Sequence, residues 1–156
     1  MKREKNLQPL SRQHHNGLLM VLLLSKGEKR QADLQIMAEF ILEMWNKDLK
    51  EHFIAEETIL IPALKNKSFN EIYTQRLLSD HAQIRLVVDK IEQGHFSNIY
   101  LNEFIVTLEK HIRFEERIYF PEVEKILSSD ELEEIGLRLL ETTSINCMDY
   151  PVKFWE

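Results

Sequence analysis

Two stretches of the chain decide how it folds: residues 52–64 read HFIAEETILIPAL, and residues 111–123 read HIRFEERIYFPEV. Aligned without gaps, they share His, two consecutive Glu, Ile and Pro at the same offsets. A His and a Glu four residues apart lie on one face of an α-helix, one turn from each other. In both stretches this face also carries the apolar residues. The pattern therefore predicts two helices that each bury a histidine and a carboxylate.

A weaker repeat precedes each of these stretches. His15-x-x-Leu18 parallels His81-x-x-Ile84, with a Val three residues further on in both cases. The chain thus reads as two helical hairpins, each with a single His on its first helix and His-x3-Glu on its second. His14 adjoins His15 and competes with it for the first position. The His-x-x-Leu context, which matches His81, favours His15.

The composition predicts an all-α fold. The 156 residues include only 4 Gly and 4 Pro, too few for a β-sandwich or barrel with a turn at about every 8–12 residues. Because 44% of the residues are hydrophobic, a disordered chain is also excluded. Apolar residues three and four apart predict helices at about 11–25, 31–65, 71–93 and 98–127. Short loops between them predict an antiparallel up-down-up-down four-helix bundle.

Glycine and proline mark the expected helix ends. Gly27 is predicted to break the chain after the first helix, and Gly94 to stop the third. Pro62 and Pro121 each lie six residues past the repeated Glu. Since proline ends or kinks a helix, we expect the second helix to stop soon after Pro62 and the fourth to bend at Pro121.

The C-terminal part is predicted to form a short fifth helix and a tail over residues 128–156. Ser128-x-x-Glu131 is a capping box that opens this helix, which should end near Glu141. The last residues lack periodicity but carry Phe154 and Trp155, so we expect the tail to dock on the bundle. The interpretation is a single domain over 1–156, with its bundle core at 11–127.

Charge and cysteine content exclude several classes of partner. Lys and Arg number 20 and Asp and Glu 26, giving a net charge of −6. Without a basic stripe, no nucleic-acid partner is expected. The longest apolar run is Leu18–Leu24, far short of the 18 or more residues of a membrane span, so no membrane partner is expected. Cys147 is the only cysteine, which excludes an intrachain disulfide and a Cys-based zinc site and fits a cytoplasmic protein.

Two buried His-x3-Glu pairs, together with the single histidine on the first helix of each hairpin, would destabilise an apolar core. Burying a carboxylate without a partner costs several kcal/mol, and bound metal removes this cost. Imidazole and carboxylate ligands suit Fe, Mn and Zn. Six ligands exceed one tetrahedral zinc but suit two ions bridged by carboxylates. The candidate metal ligands are His15, His52, Glu56, His81, His111 and Glu115.

Taken together, these motifs resemble the hemerythrin-like, or HHE cation-binding, family over about residues 11–127. The segments that carry the resemblance are His14-His15-x-x-Leu18, His52-x3-Glu56-Glu57, Asp80-His81-x-x-Ile84 and His111-x-x-Phe-Glu115-Glu116-x-x-Tyr-Phe-Pro121. The resemblance implies a bundle core that holds two non-haem iron ions, for which Zn or Mn can substitute. One iron would take His15 and His52, the other His81 and His111, and Glu56 and Glu115 would bridge them.

Four other acids have open roles in this interpretation. Asp48 and Asp80 could orient a ligand histidine or be ordinary solvated acids, the latter being slightly favoured. Glu57 and Glu116, each next to a bridging Glu, are further candidate ligands, although their offset points them away from the histidine axis.

The resemblance implies a function but with one departure. Oxygen-carrying members have a further His one turn before the ligand that matches His81, and this chain has Leu77 there. Reversible oxygen carriage is therefore in doubt. The hypothesis is a protein that binds or senses dioxygen, nitric oxide or iron, its partner being a small diatomic ligand or a metal ion. The alternative is a di-iron enzyme that acts on peroxide or nitric oxide, or delivers iron for iron–sulfur repair.

Overall fold

A computed structural model describes residues 2–139 and 145–156, and the regular elements in this part of the chain are all helices. Helix α1 is Gln8–Lys29. Helix α2 is a continuous run over residues 34–63, made of Leu34–Met44, the π-helical Trp45–Leu49, Lys50–Ala55, the π-helical Glu56–Leu60 and Ile61–Ala63. Helix α3 is Glu71–Glu92. Helix α4 covers residues 98–126 as Asn98–Phe114, the π-helical Glu115–Tyr119 and Phe120–Ile126. Helix α5 is Ser129–Leu139, and a 3-10 turn follows at Cys147–Asp149. Within the described residues, no helix combines the length and the apolarity needed to cross a membrane.

The two glycines predicted as helix breaks behave differently. Gly94 has φ of +79° and follows the last turn of α3, as predicted for a glycine that stops a helix. The prediction for Gly27 is wrong, because α1 continues through it to Lys29. A Cβ at Gly27 would lie 2.7 Å from the Phe154 ring and 2.8 Å from Met37 Sδ. The glycine thus allows α2 and the C-terminal tail to approach α1 closely.

A π-helical turn begins at the first glutamate of each repeat and ends two residues before the proline that follows it. The Ile61 N–H donates to the Glu56 carbonyl, and the equivalent bond joins the Phe120 N–H to Glu115. A proline ring crowds the carbonyl of the preceding turn, and the wider π turn gives it room. As predicted, α2 ends directly after Pro62, whereas α4 runs on through its proline to Ile126.

The buried apolar residues form two clusters with a polar layer between them. The first cluster includes Phe40, Phe53, Phe104 and Leu108. The second cluster includes Leu10, Leu60, Leu77 and Tyr119. Along α1 and α3 the chain passes from the second cluster to the first, and along α2 and α4 it passes from the first to the second. On every one of these four helices, the buried histidines and glutamates lie where the chain passes from one cluster to the other.

The C-terminal tail packs on the first cluster, as expected. Phe154 and Trp155 are buried, and the Phe154 ring centre lies 5.0 Å from that of Phe40. The Cys147 N–H donates to Asn16 Oδ1 over 2.9 Å, which fixes the tail to α1.

The capping box predicted for the fifth helix is present at the start of α5. The Ser128 N–H donates to Glu131 Oε1 over 2.9 Å, and the Glu131 N–H donates to the Ser128 hydroxyl over 3.2 Å. Residues 140–144, which include the expected helix end at Glu141, lie outside the described residues.

We expect the Phe154→Ala substitution to lower the free energy of unfolding by about 3 kcal/mol, the lower end of the range for truncating a buried Phe. The ring fills the space beside Gly27 and Phe40, and its loss would leave a cavity. Chemical denaturation measures the change. Val152→Ala, at an exposed tail position, serves as the control and should change stability by no more than about 0.5 kcal/mol. Equal effects of the two substitutions would contradict the docked tail.

Candidate metal centre

Six ionisable side chains meet in the polar layer between the two clusters. Each of them is at most 4% exposed. They come from all four long helices: His14 from α1, His52 and Glu56 from α2, His81 from α3, and His111 and Glu115 from α4.

These side chains form two overlapping groups that share Glu56 and Glu115. The first group adds His14 and His52, and the second adds His81 and His111. Within each group, one ligand atom from every residue lies within 4.8 Å of the others. Two neighbouring positions therefore each face two imidazoles and the same two carboxylates.

All four imidazoles direct Nε2 towards the shared carboxylates. The Nε2 to Oε1 distances are 3.4 Å for His52 and 3.1 Å for His81 to Glu56, and 3.3 Å for His14 and 2.6 Å for His111 to Glu115. The Nε2 atoms of His14 and His52 also lie 3.1 Å apart. The donor atoms thus converge on a common centre.

The prediction that His15 takes part in this centre is corrected by its position. The His15 side chain is exposed, whereas His14 is buried among the other ligands. Neighbouring residues point about 100° apart around a helix. The buried residues Gln13, His14 and Gly17 define the inward side of α1, and His15 lies outside it. The local sequence does not decide between them, since a hydrogen-bonding side chain precedes each histidine: Gln13 before His14, and His14 before His15.

Every inward-facing imidazole has its own acceptor at Nδ1. His14 Nδ1 is 2.8 Å from Glu116 and His52 Nδ1 is 2.7 Å from Gln13, while His81 Nδ1 is 2.6 Å from Glu57 and His111 Nδ1 is 3.1 Å from Asp80. An oxygen acceptor requires the proton on Nδ1, which leaves the Nε2 lone pair free to bind a metal. The acceptors thus orient the rings and select the tautomer.

The open roles of the four additional acids can now be described. Glu57 and Glu116 turn away from the centre and hold histidines of the opposite hairpin. Asp80 holds His111 and is not a free solvated acid. Asp48 is buried and accepts a hydrogen bond from the Asn16 amide over 3.0 Å. Sequence reasoning missed Gln13, whose neutral amide gave no sign of contact with a ligand.

The orienting glutamates and the imidazole rings are held in place by further contacts. The Arg85 guanidinium donates two hydrogen bonds to Glu57, over 2.7 and 3.0 Å. The Ser11 hydroxyl donates to Glu116 over 2.8 Å. The Phe53 ring stacks on His81 with centroids 3.9 Å apart. These contacts fix the imidazoles from outside the centre.

Without metal, neighbouring groups of the centre have pKa values shifted in opposite directions. Burial and repulsion by Glu115 raise the pKa of Glu56 well above its usual value. Although burial opposes ionisation, the neighbouring His111 lowers the pKa of Glu115 well below its usual value. Glu115 in turn raises the pKa of His111 to about 9, against the effect of burial. Burial and repulsion by His111 lower the pKa of His81 to about 4.

The centre fits a metal ion because several of its polar atoms lack hydrogen bonds. Glu56 Oε2, both Glu115 carboxylate oxygens and His111 Nε2 are buried and find no hydrogen-bond partner among the described residues. His111 Nε2 and Glu115 Oε1 are 2.6 Å apart but are not aligned for a hydrogen bond. Such atoms cost free energy when left unpaired. A bound cation would satisfy them, and nitrogen with oxygen donors suits iron, manganese or zinc.

We expect the metal-free protein to lose stability as the pH rises from about 6.5 to about 9. The pKa of His111 is raised from 6.5 to about 9, so its stabilising proton is fully retained below pH 6.5 and is lost as the pH passes 9. Against burial, Glu115 and Glu116 also raise the pKa of His14, which acts in the same direction. His81, with its pKa lowered to about 4, reduces stability only below pH 6.5. Urea unfolding at pH 6.5 and 9 in the presence of a chelator measures the change.

The His111→Gln variant provides the control for this prediction. Because glutamine does not titrate, the free energy of unfolding of this variant should depend less on pH across the same range. With metal present, the wild-type dependence should reverse because ligand binding requires neutral imidazoles. A metal-free wild type as insensitive to pH as the variant would contradict the interpretation.

Comparison with known proteins agrees with this geometry. The family model of the hemerythrin HHE cation-binding domain matches residues 7–123, a range that includes all six residues of the centre. No curated protein and no solved structure gave a significant match. Because the family model covers well over half of the chain and the metal-ligand geometry lies within it, the chain belongs to the hemerythrin HHE cation-binding domain family.

Proposed function

We propose that this protein holds two iron ions in its core and uses them to bind or sense a small ligand, dioxygen or nitric oxide, or iron itself. The observation that carries the proposal is the pair of overlapping ligand groups that share Glu56 and Glu115. Two positions that share two carboxylates are the arrangement expected for a bridged pair of ions. Zinc or manganese could substitute, since the same donors suit them.

In this proposal each residue of the centre has one role. His14 and His52 hold one ion, His81 and His111 hold the other, and Glu56 and Glu115 bridge them. His14 replaces the His15 of the sequence-based assignment. A carboxylate-bridged iron pair held by these residues would supply a redox-active centre.

The chain itself contributes orientation and exclusion of water. The Nδ1 acceptors keep the four Nε2 atoms aimed at the centre, and the two apolar clusters close it on both sides. Leu77, which is completely buried, occupies the position where oxygen carriers of the family have a further histidine. The resulting ligand set has fewer histidines, which favours binding or sensing over reversible oxygen carriage.

The frame for this centre is, we propose, one domain over 1–156 whose core is an antiparallel up-down-up-down four-helix bundle. Two observations support this topology. Consecutive long helices cross the two apolar clusters in alternating order. The connections between them are also short, as in bundles of antiparallel neighbours. A cytoplasmic location remains part of the proposal.

The adjacent histidines His14 and His15 allow a matched test of the metal centre. We expect wild type and His15→Ala to bind about two iron ions per chain after anaerobic reconstitution, as a bridged centre requires. His14→Ala should weaken one of the two positions by more than the roughly 10–100-fold that is typical for losing an outer-shell partner. Iron analysis and the near-ultraviolet absorption of the oxidised protein measure the outcome.

Two results would contradict the proposed centre. One is less than one iron per wild-type chain after reconstitution. The other is equal iron binding by His14→Ala and His15→Ala, both folded as judged by circular dichroism, because only His14 faces the centre.

Turnover measurements distinguish a binding or sensing protein from an enzyme. With the di-iron protein and a chemical reductant, we expect nitric oxide and peroxide to react in proportion to the number of centres and then stop. The two apolar clusters enclose the centre, so the reductant should not reach the oxidised centre to regenerate it. Continued consumption past one equivalent of peroxide or two equivalents of nitric oxide per centre, lost in His111→Ala, would instead establish the enzymatic alternative.

A further inference from the structure

We infer that the two ion positions are unequal, and that Gln13 and Asp80 make the position at His81 and His111 the one that binds metal more tightly. This inference rests on the proposed di-metal function. The position at His81 and His111 should fill first, because of two residues outside the ligand set.

Gln13 and Asp80 occupy equivalent places in the two hairpins. Each directly precedes the ligand histidine on the first helix of its hairpin. Each reaches across to Nδ1 of the histidine on the second helix: Gln13 Oε1 lies 2.7 Å from His52, and Asp80 Oδ2 lies 3.1 Å from His111. One histidine is therefore held by a neutral amide and its counterpart by a carboxylate.

The two positions are otherwise built from the same kinds of groups. Each position has two imidazoles and shares the same two bridging carboxylates. The second imidazole of each is held by a glutamate, Glu116 at His14 and Glu57 at His81. Both glutamates also have a cationic neighbour, which is closer at Glu57: Arg85 donates two hydrogen bonds to Glu57 over 2.7 and 3.0 Å, whereas Arg3 lies 3.6 Å from Glu116. This difference weakens the effect of Glu57 on His81, so the higher affinity of that position must come from Asp80.

A carboxylate at Nδ1 makes an imidazole a stronger metal ligand than an amide does. Accepting the Nδ1 proton places negative charge behind the ring and raises the basicity of Nε2, and hydrogen bonds to ionised acceptors are about twice as strong as neutral ones. Arg76 lies 3.9 Å from Asp80, but its side chain is 48% exposed, so water screens this pair. The buried Asp48 is bonded to Asn16 and orients no ligand.

Variants that keep one position each measure the two affinities separately. Metal-free His52→Ala retains the His81 and His111 position, and metal-free His111→Ala retains the position at His14 and His52. Titration with Co²⁺, followed by its visible absorption and by competition with a chelator, gives the affinities. We expect His52→Ala to bind Co²⁺ about tenfold more tightly than His111→Ala does. Tenfold is the lower end of the effect of an outer-shell partner.

Isosteric substitutions then test which residues cause the difference. Gln13→Glu in the His111→Ala protein should tighten Co²⁺ binding about tenfold, and Asp80→Asn in the His52→Ala protein should weaken it about tenfold. Gln75→Glu and Asp89→Asn make the same changes in charge at exposed positions of α3 and should have little effect.

The full ligand set provides a second measurement if either alanine variant fails to fold. Wild type should bind two Co²⁺ ions in separate steps, and Gln13→Glu or Asp80→Asn should each bring the two steps together. Equal Co²⁺ affinities at the two positions would overturn the inference. So would changes in affinity no larger for Gln13→Glu and Asp80→Asn than for their surface controls. Failure of wild type to bind Co²⁺ at all would instead overturn the proposed function.

Discussion

Two carboxylates and four imidazoles occupy a single layer of a mostly apolar core, and this layer governs how the four long helices can pack. Each side chain is almost completely buried, so each needs a partner inside the protein. The Nδ1 atoms find acceptors on neighbouring helices, whereas several atoms that face inward remain without a hydrogen bond. The polar atoms that face outwards are hydrogen-bonded, whereas several that face the middle are not. This is expected of a site built around a cation.

The orienting contacts also explain why two similar hairpins form one structure. Glu57 on α2 holds His81 on α3, and Glu116 on α4 holds His14 on α1. Each hairpin thus supplies the acceptor for a histidine of the other. Any ion held by these histidines is thereby coupled to the docking of one hairpin on the other, and metal binding and folding should be linked.

Much of the centre was predictable from sequence because the repeat has helical spacing. His52 with Glu56 and His111 with Glu115 follow directly from a four-residue separation. The sequence favoured His15 over His14 wrongly, for a physical reason. Seven consecutive apolar residues follow them, Leu18–Leu24, so the local pattern does not define which side of α1 faces inward. The tertiary contact at Gly17, where a Cβ would lie 2.7 Å from Ile112, marks the side that does.

Contacts between distant parts of the chain account for the other differences from prediction. A glycine in a helix usually costs about 1 kcal/mol relative to alanine, which is why Gly27 predicted a break. Its packing against Phe154, which is 127 positions away in sequence, is invisible to local patterns. Gln13 was missed similarly, because only the structure shows the amide reaching His52.

The π turns show how duplication and asymmetry coexist in this fold. The π turns Glu56–Leu60 and Glu115–Tyr119 each begin at one of the two shared glutamates and precede a proline, so the backbone around the two carboxylates is built in the same way twice. The backbone thus makes the two halves alike, and the side chains outside the centre make them different. Gln13 and Asp80 share one position and one geometry but differ in charge. A substitution that keeps shape while changing charge can alter metal affinity without disturbing the packing of the core, because it leaves the ligands and the apolar clusters in place.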